Sequence, residues 1–194
     1  EGRIIAVLNH PFQNWEPTLE PARSRGKLLK DFLTKNFTIN EFETYLKENR
    51  TKYNGFHLLY GTFDNLRYYS NIEDRFHIFE KGLYCLANTD DDMSTHRIDR
   101  SSEILQQFVN NQSGEINLTQ MTRFFMDKEV SSKMENYPEE IDREVAINHS
   151  SIFIEGDEFG TVGTTALLVD KEGTVHVREV KYDRQGVTEI SEIT

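Results

Sequence analysis

Four short runs rich in aromatic and branched residues follow one another between residues 56 and 87, and they constrain the fold of this chain most strongly. Asp64-Asn65 and Lys81-Gly82 punctuate these runs with residue types that are typical of turns. Connections this short favour antiparallel pairing of neighbouring strands. The sequence therefore predicts an antiparallel meander with strands at Phe56–Phe63, Leu66–Ser70, Phe76–Phe79 and Leu83–Ala87.

One strand and two helices are predicted before the meander. The opening run, Gly2–Asn9, has the composition of a strand. Apolar residues then recur at helical spacing between residues 24 and 36. A second helix follows, capped by Thr38 or Asn40, with Glu43 three residues after Asn40 in the position of a capping box.

Helical spacing returns after the meander, and a second group of strands ends the chain. Two helices are predicted to begin at Ser101 or Ser102 and at Thr119, which are common capping residues. The order of strand, helices, strands, helices and strands lacks the alternation of a doubly wound parallel sheet, so we expect an α+β fold with antiparallel sheets. The remaining predictions are a polar separator at Lys133–Asn148, strands at Ser151–Ile154, Thr164–Asp170 and Thr174–Val180, and a hairpin turn at Lys171-Glu172-Gly173.

Charge and composition narrow the class of partner. The 194 residues carry 33 acidic and 22 basic side chains, a net charge of −11, without a dense basic block. This charge would repel a phosphate backbone, so nucleic acid is not expected as a partner. No apolar run reaches the length of about 18 residues that suggests a transmembrane segment. Cys85 is the single cysteine and cannot form an internal disulfide, which indicates a reducing, intracellular compartment.

Five stretches of sequence together carry a family resemblance. They are Ala6-Val7-Leu8-Asn9, Ser24-Arg25-Gly26-Lys27-Leu28-Leu29, Tyr53-Asn54-Gly55-Phe56-His57-Leu58-Leu59, Gly82-Leu83-Tyr84-Cys85-Leu86-Ala87-Asn88, and Phe159-Gly160-Thr161 with Thr164-Thr165-Ala166-Leu167-Leu168-Val169-Asp170. In this order they extend over nearly the whole chain. The chain resembles the transport and Golgi organisation protein family, which is also called the NRDE family after a motif near its N-terminus.

The resemblance implies the fold of the N-terminal-nucleophile hydrolases, a four-layer αββα sandwich in which helical layers cover two antiparallel sheets. In such enzymes residue 1 of the mature chain attacks the substrate, and its own α-amine serves as the base. Family members carry Cys directly after the initiator Met and an Asn-Arg-Asp-Glu stretch downstream, whereas residue 1 here is Glu and that stretch does not occur. We therefore expect a single domain over residues 1–194, truncated at the N-terminus and lacking its first strands, with any nucleophile upstream of Glu1.

Two asparagines are the candidate site residues that the resemblance implies. Asn9 ends its strand where the related choloylglycine-type amidases keep an oxyanion-hole asparagine, and Asn88 ends another strand where they keep a substrate-orienting one. An asparagine amide donates to developing negative charge without titrating. A turn-forming role after a strand explains both positions about as well. Val162 stands where the family usually has Arg, which predicts a different ligand or no ion pair there.

The six histidines are scattered without the spacing of a zinc site, so no metal is expected. His57 and His77 lie in strand runs beside aromatic residues. We interpret both as histidines packed or hydrogen-bonded in a sheet rather than as iron ligands. Haem therefore enters as a molecule that the protein would transport, and no resident cofactor is assigned.

Three functions remain open from the sequence. The first is handling or trafficking of a hydrophobic metabolite, haem or an acyl-CoA or other lipid, linked to Golgi and secretory organisation, in a cytoplasmic protein associated with the mitochondrion or the Golgi. The second is an N-terminal-nucleophile amidohydrolase that acts on a small amide substrate. The third is an interaction or scaffolding domain, in which Asn9 and Asn88 are purely structural.

Overall fold

The computed structural model describes residues 2–10, 22–88, 95–112, 114–132, 142–157 and 159–194. The chain divides into two compact units. The first unit comprises Glu1–Gly82 and Leu86–Met93, and the second comprises Leu83–Cys85 and Ser94–Thr194. Two antiparallel sheets and several helices confirm the predicted α+β class. The four-layer sandwich and the single domain lacking its first strands stay predictions.

The first unit contains a sheet of four antiparallel strands in the order β1-β2-β3-β4. Pairing of Val7 with Leu58, and of Leu58 with Tyr69, places these three side chains on one face, because successive side chains of a strand point to opposite faces. The meander is therefore confirmed from β2 to β4. The strands are β1 (Arg3–Asn9), β2 (Phe56–Thr62), β3 (Asn65–Ser70) and β4 (Arg75–Ile78).

Two helices, α1 (Gly26–Thr34) and α2 (Ile39–Asn49), cover that face of the sheet, and a single 3-10 turn, Arg50–Lys52, follows α2. The ring of Phe42 on α2 lies 5.3 Å from that of Tyr60 on β2, edge to face. Burial of this interface is the main source of stability in the unit. The buried cluster consists of Leu28, Phe32, Phe42, Leu46, Tyr53, Phe56, Leu58, Tyr60 and Tyr69.

Thr38 caps α2, which confirms one of the two predicted capping residues. Its hydroxyl accepts from the Glu41 backbone N–H at 3.3 Å, and the Glu41 carboxylate accepts from the Thr38 N–H at 2.8 Å. The predicted box of Asn40 with Glu43 is wrong, because Asn40 already lies inside the helix. Glu43 faces the sheet instead and accepts from the Tyr60 hydroxyl at 2.8 Å.

No strand forms at Leu83–Ala87, contrary to the prediction. Leu83, Tyr84 and Leu86 are all exposed. A short apolar run becomes a strand only where a neighbouring strand is present to pair with it, and this segment has no ladder.

The predicted strand at Ser151–Ile154 is also absent. The backbone N–H of Phe153 donates to the carbonyl of Asp127 at 2.8 Å, and that of Ile154 donates to the Thr161 hydroxyl at 2.9 Å. These buried donors are thus satisfied by loop groups rather than by a neighbouring strand.

Within its described residues, the second unit contains three helices and a three-stranded antiparallel sheet in the order β5-β6-β7. Gly173 adopts a φ of +85° in the predicted turn between β5 and β6, a conformation that glycine tolerates without strain. Sequence reasoning missed β7, because its side chains are almost all exposed and give no apolar alternation. The elements are α3 (His96–Asn111), α4 (Leu118–Phe124), α5 (Arg143–Asn148), β5 (Gly163–Val169), β6 (Val175–Asp183) and β7 (Gly186–Ile193).

The helices of the second unit begin earlier than predicted. Thr95 caps α3 by accepting from the Ile98 N–H at 3.3 Å, so Ser101 lies inside the helix. Asn117 caps α4 and accepts from the backbone N–H of Thr119 at 2.8 Å. The true caps, like the predicted ones, are residue types that favour a helix start, so local propensity alone could not choose between them. The helix α5 forms within the segment that was interpreted as a polar separator, of which residues 133–141 lie outside the described residues.

Candidate functional site

Asn9 is the last residue of β1, and its side chain is exposed. It pairs with Phe56 in the register of β1 with β2. No hydrogen bond joins its side-chain amide to another described residue. The amide is therefore open to a bound molecule, which is compatible with the predicted oxyanion role but does not distinguish that role from a turn-forming one.

A buried aromatic cluster lies beside the end of β1. The ring centroids of His10 and His57 are 5.3 Å apart, and the His57 ring stacks on that of Tyr68. His57 Nδ1 and the Tyr68 hydroxyl are 2.6 Å apart, within hydrogen-bonding distance. The prediction of a packed, hydrogen-bonded sheet histidine is thus confirmed for His57. His77 is exposed on β4, where its ring lies 5.0 Å from that of Phe79.

Asn9 and His57 do not converge on one face of the sheet. Asn9 pairs with Phe56, which belongs to the helix-covered core, whereas His57 pairs with Leu8. Because neighbouring residues of a strand point to opposite faces, His57 and Tyr68 lie on the face away from that core. The structure therefore shows no arrangement in which the Asn9 amide and the His57 ring act on the same bound atom.

Asn88 does not end a strand, and that part of its prediction is wrong. The described chain has no regular secondary structure from residue 83 to residue 88, because the strand that was expected to place this asparagine does not form. Its side chain is half-buried and is not hydrogen-bonded to any other described residue. The substrate-orienting roles of Asn9 and Asn88 stay predictions.

A groove that sequence reasoning missed lies between α3 and α4 in the second unit. Its volume is about 620 Å³, and it is open to solvent. Its α3 side presents residues at the spacing of a single helical face, and its other side comes from α4 and the turn after it. The lining residues are Arg100, Ile104, Gln107, Phe108, Asn111, Gln112, Gln120, Arg123, Phe124, Met126 and Asp127.

Two contacts join the sides of the groove. The rings of Phe108 and Phe124 pack edge to face at 5.1 Å. Arg100 donates to Asp127 Oδ2 from Nε at 3.1 Å and from Nη2 at 2.7 Å. These hydrogen bonds hold the pKa of the Asp127 carboxyl below its usual value. An ion pair and an aromatic pair thus both form part of the wall of the groove.

The groove has an apolar floor and a polar rim, and its lining also includes the charged side chains Arg100, Arg123 and Asp127. Ile104, Phe108, Phe124 and Met126 supply the apolar surface, and Phe108 is buried while Met126 is exposed. Four carboxamides lie along the rim. Gln107 and Asn111 belong to α3, Gln112 directly follows its last residue, and Gln120 belongs to α4. This combination of apolar surface and a few polar groups is typical of sites for small amphipathic molecules.

The apolar spacing of α3 and α4 was visible in the sequence, but the groove was not. The prediction that α3 begins at Ser101 or Ser102 excluded Arg100 from the helix. The recurrence of Arg100, Ile104, Phe108 and Asn111 at intervals of three or four residues is the signal that could have revealed the α3 side.

A family model described as Transport and Golgi organisation 2 matches residues 1–184. The chain belongs to the transport and Golgi organisation 2 family. The match extends from β1 to the end of β6 and contains both helices of the groove. The resemblance drawn from the five stretches is thereby confirmed, and no curated protein matches the chain.

Two further findings concern membrane crossing and metal binding. Within the described ranges, no helix combines the length and the apolar character that a membrane crossing requires. The same ranges contain no group of three or more histidine, cysteine, aspartate or glutamate side chains placed to hold a metal ion.

Proposed function

We propose that this transport and Golgi organisation 2 family member binds and carries a hydrophobic metabolite, an acyl-CoA or other lipid or haem, in the cytoplasm near the mitochondrion or the Golgi. The observation that carries the proposal is the α3–α4 groove. Its volume of about 620 Å³ falls within the range of about 300 to 1,000 Å³ that is usual for small-molecule sites. The family description supports a role in transport, and the groove supplies a place for the transported molecule.

The lining of the groove suits an aliphatic chain better than a haem held through its iron. Its described residues include no histidine or cysteine, the side chains that most often bind haem iron. The apolar floor formed with Ile104 and Phe124 would bury methylene groups, each of which contributes about 0.8 kcal/mol when removed from water. We therefore place an acyl-CoA or another lipid ahead of haem.

Replacing Ile104 by glutamate should weaken binding of dodecanoyl-CoA to the full chain by at least about tenfold. The half-buried Ile104 lines the groove, and a carboxylate there opposes both the apolar chain and the anionic headgroup. Equilibrium dialysis measures the dissociation constant, and Val109→Glu is the matched control. Val109 lies on the same helix, is exposed and does not line the groove. Absence of saturable binding to the unsubstituted chain, or equal weakening by both variants, would contradict the proposal.

A second candidate function is an N-terminal-nucleophile amidohydrolase that acts on a small amide. The observation in its favour is Asn9, whose exposed amide has no hydrogen bond to another described residue. Such an amide could donate to the oxyanion of a tetrahedral intermediate. Mass spectrometry of the mature N-terminus of the native protein tests this candidate. It requires a free Cys, Ser or Thr there, and any other first residue eliminates it.

A further inference from the structure

We propose that the α3–α4 groove selects amphipathic molecules with one anionic end, such as a long-chain carboxylate, and that Arg123 binds the anion. This inference rests on the proposed function, since it names the chemical class that the groove takes. It assigns the groove a charge preference that the apolar floor alone would not produce.

The two arginines of the groove differ in their ion pairing. Arg100 lies 2.7 Å from a carboxylate oxygen of Asp127, 3.3 Å from one of Glu129 and 3.7 Å from one of Glu103. A bound anion would have to compete with these carboxylates. Arg123 is exposed on α4, and its guanidinium has no ion pair or hydrogen bond with any residue in the described ranges. Its guanidinium therefore has donors available for a ligand.

The side chains that line the groove are less acidic than the chain as a whole, although the carboxylates of Glu129 and Glu103 also lie 3.3 and 3.7 Å from the Arg100 guanidinium. The chain carries a net charge of −11, which disfavours anions in general. The described lining, by contrast, contains Arg100 and Arg123 against the single acidic residue Asp127, and its other polar groups are uncharged carboxamides. Acidic groups beyond about 8 to 10 Å are largely screened at physiological salt. A preference for anions in this acidic protein would thus have to come from a nearby cation, and Arg123 is placed to supply it.

The sequence neighbours of Arg123 place apolar surface next to the charge. Phe124 follows it directly on α4 and packs on Phe108 across the groove with a centroid separation of 5.1 Å. A carboxylate bound to the guanidinium could therefore extend its chain over Phe124 toward Ile104. The groove volume of about 620 Å³ fits one such molecule and is too small for a folded domain.

Decanoate and decanol form a matched pair of probes, because they differ in charge but share the same chain length. Displacement of the neutral dye Nile red from the full chain gives a dissociation constant for each probe. We expect decanoate to bind about fivefold more tightly than decanol at pH 7, as an accessible ion pair at a protein surface allows. Arg123→Gln should remove this preference, so that decanoate and decanol bind with equal affinity. The control is Arg143→Gln, since Arg143 is an exposed arginine of α5 that does not line the groove.

The possible outcomes separately test the role of Arg123, the proposed function and the occupant of the groove. Equal binding of the two probes by the unsubstituted chain, or a preference for decanoate that persists in Arg123→Gln, would overturn the role of Arg123 while leaving an apolar ligand site in place. Failure of both probes to displace Nile red would overturn the proposed function itself. Self-association that Phe124→Ser abolishes, and that neither probe disrupts, would assign the groove to a second copy of the chain and overturn the proposal.

Discussion

Replacing Phe42 by alanine should lower the free energy of unfolding by about 4 kcal/mol, in the range measured for large-to-small changes in well-packed cores. The Phe42 side chain is fully buried, and its ring lies 4.6 Å from that of Phe32 and 5.3 Å from that of Tyr60. Removal of the ring would leave a cavity where α1, α2 and the sheet meet. Urea unfolding followed by far-ultraviolet circular dichroism measures the loss.

The control for Phe42 is Leu33→Ala on α1. Leu33 is 53% exposed, so its truncation removes little surface from the core and should cost less than about 1 kcal/mol. A loss below about 1 kcal/mol for Phe42→Ala would contradict the described packing of the two helices on the sheet.

Replacing Asn71 by alanine should cost about 3 kcal/mol of unfolding free energy, because it leaves a buried backbone N–H without its acceptor. Asn71 is fully buried, and its Oδ1 accepts from the Phe56 N–H at 2.7 Å. Its Nδ2 donates to the Tyr53 and Asn54 carbonyls, each at 3.4 Å. The side chain thus fixes the start of β2 and the turn before it. Urea unfolding measures the cost.

Asn65→Ala is the matched control for Asn71, since Asn65 is exposed at the start of β3. Its replacement should change the free energy of unfolding by no more than about 0.5 kcal/mol. Asn71 also bears on the candidate site, because Phe56 pairs with Asn9 in the sheet register. Equal, small effects of the two variants would show that the buried hydrogen bonds of Asn71 do not hold this end of the sheet.

The first unit was largely predictable because its residues satisfy local and tertiary requirements together. The run from Phe56 combines strand-forming residues with side chains that the helices bury, and its turn residues permit only a short connection. Leu83–Ala87 has the same local character but has no strand to pair with, so the prediction there was wrong. Strand propensity is expressed only in a sheet, and a partner strand cannot be identified from local sequence.

The candidate sites were less predictable than the fold. Asn9 was identified through the family resemblance, and the structure places it, exposed, at the strand end where it was expected. The groove was missed because it depends on how Phe108 meets Phe124, a contact between residues 16 positions apart in the chain. Arg123 became a candidate only once the ion pairs of Arg100 were known. Sequence spacing identifies helical faces, but it does not show which charges are already neutralised.

The measurement that tests the central claim most directly is photo-cross-linking of the full chain with a fatty acid that carries a diazirine on its alkyl chain, followed by peptide mass spectrometry. If the α3–α4 groove is the ligand site, the label should fall on peptides spanning residues 100–112 and 120–127, and excess decanoate should suppress it. The label should also be strongly reduced in Ile104→Glu and retained in Val109→Glu. Labelling that is not saturable, or that falls on β1 around Asn9 with the groove peptides unmodified, would contradict the account.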